Sequence, residues 1–189
     1  MFVDFWRMPA GEAEQFLAAY RAEREPRLEW FQWQSGMRPD GSREALVATW
    51  AWIVSWWLDG GQEAEGPPYP IWHPTRSDPR HGGVGTGPAL LMCDAAGHVL
   101  ADHLLAALPS ACWRRCDADG LIFNHPVLQA PGGDVLCPFE LVYSCMLALR
   151  DDVPGARHPE ALAIRADAWI AGAREVGAQA LSADAPSST

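Results

Sequence analysis

Lysine is absent from all 189 residues, so every one of the 14 basic side chains is an arginine. Schiff-base catalysis, pyridoxal phosphate attachment and the phosphate-gripping lysine of P-loop proteins all need an ε-amine, and those classes are excluded. Positive charge as a whole is scarce: 14 arginines face 24 acids, for a formal net charge of −10. Nucleic acid binding draws its affinity from neutralising phosphates, so this balance argues against DNA or RNA and favours a basic protein as partner. No uncharged run reaches the ~20 residues that span a bilayer; residues 45–58 make 14. The first seven residues lack a basic region followed by a sustained apolar stretch, which is not the pattern of a secretory signal. The expectation is a cytoplasmic protein with no membrane association, whose five cysteines, an odd number, are reduced thiols.

Aromatic surface, by contrast, is plentiful. Eight of ten tryptophans precede residue 73, and four fall in the uncharged segment 49–58. With Ser42 as N-cap and Glu44 in the first turn, that segment reads as a helix. Leu46, Trp50, Ile53 and Trp57 form one stripe, and Ala45, Thr49, Trp52 and Trp56 a second. A third side, Ala48, Ala51 and Ser55, is small enough for another helix to approach closely. The core is the favoured place for this helix, with Trp52 and Trp56 as candidates for a surface left open to a partner.

Around it the chain reads as α+β, mainly helical with a small antiparallel hairpin or sheet. Residues 12–25 carry Ala13, Phe16, Leu17 and Tyr20 at helical spacing, and a second helix holds Leu28, Trp30, Phe31 and Trp33 before Ser35 and Gly36 stop it. Residues 89–108 form a long helix. Residues 113–116 and 121–125 read as two strands joined by a turn through residues 117–120. Pro138 opens a helix buried through Phe139, Val142, Tyr143, Met146 and Leu149, and a last helix follows residues 158–160, carrying Leu162, Trp169, Ala173 and Val176. Residues 1–181 are one globular domain, with 182–189 a disordered tail. Between residues 59 and 88, 13 of 30 positions are glycine or proline. A loop of that length in a compact domain is functional or mobile, and Trp72 within it is the preferred partner contact. Its glycine run, 82–87, lacks dinucleotide spacing and a preceding strand, so no nucleotide or other cofactor is implied.

Three constellations bear on chemistry. Asp94, His98 and Asp102 are four residues apart and share a helix face, where they could hold a metal or raise the proton affinity of the histidine. Cys137 precedes Pro138 at a helix N-terminus, where the dipole lowers a thiol's pKa, with His125 placed to act as its base. The competing reading is a small buried cysteine at a helix entrance and a histidine that ends a strand. Cys112 and Cys116, four strand steps of ~3.3 Å or about 13 Å apart, are too distant for one zinc ion.

Leu90-Leu91-Met92-Cys93-Asp94 opening a helix, Trp113 in a strand, Asn124-His125-Pro126-Val127-Leu128, and Pro138-Phe139-Glu140-Leu141-Val142 opening a helix follow in order. Over residues 89–150 this resembles small bacterial α/β domains of high-GC genomes, some similar to immunity proteins of polymorphic toxin systems. The resemblance implies an immunity-type or inhibitory role and carries over no catalytic residue. The leading expectation is therefore a non-catalytic acidic factor that binds a protein. The alternative is a small hydrolase or transferase using Cys137 and His125, or Asp94, His98 and Asp102.

Overall fold

A computed structural model describes Phe5 and residues 7–60, 87–118 and 122–183. Among these lie six helices and a three-stranded sheet: α1 (Ala10–Ala22), α2 (Arg24–Ser35), α3 (Arg43–Leu58), α4 (Gly87–Ala107), β1 (Cys112–Arg115), β2 (Pro126–Gln129), β3 (Val135–Leu136), α5 (Pro138–Arg150) and α6 (Ala161–Ala183). The fold class is α+β and mainly helical, with a small antiparallel sheet. Most of the loop expected at 59–88, with Trp72, lies outside the described residues, as do residues 184–189 of the expected tail and part of the 117–120 turn; residues 182 and 183 belong to α6.

The long apolar helix α4 is the organising element, packed against α2, α3, α5 and α6. It is apolar enough by length and composition to cross a membrane, but 83% of its apolar window is buried inside the protein, as for a core helix. Gly97 brings α5 close: a Cβ there would sit 3.3 Å from both N and Cα of Phe139. On α5, Phe139, Val142, Cys145, Met146 and Leu149 are buried and Tyr143 only half so.

Helix α3 begins as its residues require. The Ser42 hydroxyl accepts the Ala45 N–H at 3.1 Å, and Asp40 in turn accepts the Ser42 N–H at 2.9 Å. Leu46, Thr49, Trp50, Ile53 and Val54 are buried. The Trp50 indole donates to the Ala156 carbonyl at 3.2 Å, tying α3 to the loop that leads into α6. The small side proves to be the outer one: Ala48 and Ser55 are exposed, so helices approach α3 through its large residues. That follows from area, since burying Trp50 and Ile53 removes far more apolar surface from water than burying alanines. Trp52 and Trp56 are half-buried, their rings stacked at 6.5 Å between centroids, with Trp52 meeting Phe31 edge-on.

In the sheet, β2 is central, pairing antiparallel with β1 (Cys112 opposite Gln129) and with β3 (Leu128 opposite Leu136). The second strand starts later than its sequence pattern suggests. Residues 122–124 form a turn, because Asn124 adopts a left-handed conformation (φ 64°) that asparagine tolerates and extended backbone does not contain. Its side chain donates to the carbonyls of Phe5 and Met8, at 2.8 and 3.0 Å, and accepts from Arg115. These bonds fasten the N-terminal segment over the sheet.

Candidate functional site

The Asp94, His98, Asp102 row does lie along one face of α4, but α2 runs antiparallel beside it and answers it with arginines. Arg24 grips Asp102 with two bonds of 2.8 and 2.6 Å, and Arg27 Nε lies 2.9 Å from Asp94 Oδ2. Arg27, itself buried, is also bonded to Glu23 at 2.7 Å. With both carboxylates engaged by guanidiniums, the row forms no metal centre. Among the described residues no three His, Cys, Asp or Glu side chains gather as one would require.

Burial then inverts the electrostatics expected of His98. Its ring is 1% exposed and stacked on Tyr20 at 4.6 Å, and burial, helped by the nearby Arg24 and Arg27, pushes its pKa down to about 3. The flanking carboxylates were expected to favour its protonated form; because each is already paired with an arginine, desolvation prevails and the ring is neutral. Asp94 moves the other way, to about 7, because loss of water outweighs the attraction of Arg27. The sequence patterns of α4 pointed to the acids and the histidine but not to Arg24 and Arg27. The available signal was the Glu23, Arg27 spacing of four, which marks a helix face that carries its own counterion.

The expectation for Cys137 is also reversed. It is the N-cap residue of α5, and Leu141 N donates to its carbonyl. Burial, reinforced by Glu140, nevertheless raises its thiol to about 12, so the helix N-terminus is overridden and the group is protonated at neutral pH. His125 does border the same cavity, together with Phe5, Tyr20 and Glu140, but that cavity measures about 30 Å³, room for a water or two and not for a substrate. The imidazole Nε2 lies 3.8 Å from Glu140, Phe5 stacks on the ring at 4.0 Å, and burial lowers its pKa. Base and thiol thus border one narrow cavity, with the thiol protonated at neutral pH. The five cysteines form no disulfide, and only Cys112 is exposed.

One feature of the surface was hidden in the sequence. Trp33 was grouped with the apolar residues of α2, yet it is 70% exposed. It follows Phe31 by two residues, about 200° round the helix from that buried ring, and falls in line with Glu25 and Glu29, also exposed. The legible signal was this spacing of four, which places a tryptophan in an acidic stripe. With the fold defined as a helical α+β domain, comparison of the chain with family models, curated proteins and solved structures finds no match.

Proposed function

We propose that this chain is a non-catalytic binding factor for a basic protein, acting inside the cell in the manner of an immunity-type or inhibitory protein. The observation that carries the reading is the outer stripe of α2, in which Glu25, Glu29 and Trp33 follow one another at single-turn spacing, all exposed. Arg24 is in ion-pair contact with the stripe, at Glu25, but it is shared with Asp102, which leaves Glu29 and part of the Glu25 charge unbalanced there. A rigid indole framed by carboxylates matches a partner with an apolar pocket rimmed by lysine or arginine: the ring supplies buried area and the acids supply steering. The net charge of −10 extends the same attraction over the whole molecule.

The test places a photo-crosslinking phenylalanine analogue at position 33 and irradiates it in a lysate of the source organism. The reading expects one basic protein in covalent, stoichiometric adduct. That protein, once purified, binds the native chain with an affinity that falls as salt rises and weakens by about 30-fold in Trp33→Ala, the ratio set by ~2 kcal/mol. The absence of an adduct, or binding that neither salt nor Trp33→Ala alters, rejects it.

A further inference from the structure

A cleft of about 450 Å³ opens between α1, α2, α4 and β1, on the side of α2 away from Trp33 and touching the acidic stripe through the Arg24–Glu25 pair, and its volume falls in the range that holds small molecules. Its walls combine three kinds of surface. Arg21 and Arg24 supply two guanidiniums against the single carboxylate of Asp102. The half-buried indole of Trp113, with Leu105, supplies an apolar face. His98 supplies a neutral imidazole, 1% exposed, whose Nε2 has no hydrogen-bond partner among the described residues.

We propose that this cleft binds a small monocarboxylate carrying a flat apolar group. Arg24 is fixed by its two bonds to Asp102 and its contact with Glu25, whereas Arg21 is exposed and has no carboxylate in ion-pair contact among the described residues. Arg21 is therefore the one guanidinium of the walls with no carboxylate paired to it. A carboxylate balances it one for one, while a phosphate monoester, at about −1.5 to −2, would leave negative charge beside Asp102. Guanidinium forks match the two oxygens of a carboxylate, and an indole wall favours a planar group stacked or edge-on against it. A neutral imidazole adds a donor or acceptor without changing the charge balance.

Calorimetry and the indole N–H resonance of Trp113 read the site with phenylacetate, phenyl phosphate, benzyl alcohol and acetate as probes. Phenylacetate saturates and shifts the Trp113 signal, and each of the other three, lacking the matched charge or the ring, binds at least about tenfold more weakly. Arg21→Gln weakens phenylacetate by about tenfold or more with the thermal midpoint unchanged, as its side chain lies in solvent. Ala18→Trp, at an exposed position on the rim of the cleft, blocks binding by volume alone. The proposal fails if phenylacetate shows no saturable binding, if phenyl phosphate or benzyl alcohol matches it, or if Arg21→Gln and Ala18→Trp leave the affinity unchanged. Because the protein-binding reading concerns the opposite edge of α2, Trp33→Ala leaves phenylacetate binding intact, and either proposal can fall alone.

Discussion

Arg27 and Asp94 form an ion pair at 2.9 Å with both side chains shut off from water, one turn of α4 away from the neutral His98. This neighbourhood makes stability depend on pH in two opposed ways. Asp94 has its pKa raised from 3.8 to about 7, so its contribution is full below pH 3.8 and lost as pH rises through 7. His98 has its pKa lowered from 6.5 to about 3, so its contribution is full above pH 6.5 and lost as pH falls through 3. Between 3.8 and 6.5 the two nearly cancel.

Removing either partner therefore exposes the other. In Asp94→Asn, unfolding free energy should climb relative to wild type between about pH 4 and 6, by up to ~1.4 kcal/mol per pH unit. In His98→Gln it should fall over the same interval by a similar slope. Urea titrations at half-unit steps of pH measure both. Slopes of the same sign in the two variants would show that burial does not govern these groups.

The thiols give a second test. Cys137 is protonated to about pH 12 and buried, and Cys93, Cys116 and Cys145 are buried too, leaving Cys112 accessible. Native protein treated with iodoacetamide at pH 7.5 should carry a single label, on Cys112, with the other four modified only after denaturation. A Cys137 that alkylates faster than free cysteine would restore the nucleophile reading.

At Gly97 two effects compete. Alanine in place of a mid-helix glycine stabilises by ~1 kcal/mol through backbone entropy. Here its Cβ would meet the backbone of Phe139 at 3.3 Å, and the N-terminus of α5 must yield. Overpacking of this sort costs about 1–3 kcal/mol, so Gly97→Ala should be net destabilising by about 1 kcal/mol. A thermal midpoint above wild type would mean that α5 shifts freely.

Trp50 separates packing from hydrogen bonding. Trp50→Ala should lose about 3–5 kcal/mol by emptying the centre of the core. Trp50→Phe keeps part of the ring but leaves the Ala156 carbonyl without its 3.2 Å donor, a loss of about 1–3 kcal/mol from that group alone. Chemical denaturation of both variants distinguishes the terms, and near-equal losses would assign Trp50's role to the bond and not to its volume.

Helix existence was legible because it depends on neighbours in sequence. Ser42 caps α3 whatever lies beyond it, Gly36 ends α2 in the left-handed conformation that its missing Cβ permits, and the apolar spacing of α5 marks its buried face. The shared face of Asp94, His98 and Asp102 was equally legible, since a spacing of four sets it. Their chemistry was not. The charge state of His98 depends first on the removal of water by the packing around its ring, Tyr20 of α1 included, and then on Arg24 and Arg27, more than seventy residues earlier, none of which a helical wheel contains. Cys137 shows the same division: its place at a helix N-terminus is local, while the burial that overrides the dipole comes from packing against other elements. So too with Trp33, whose composition says core and whose angular offset from Phe31 says surface, a contest decided only when α2 laid one side against α4. Sequence alone determined periodicity, caps and net charge, which act over a turn or over the whole chain. Tertiary structure decided desolvation and ion pairing, which act over a few ångströms between residues far apart in the chain.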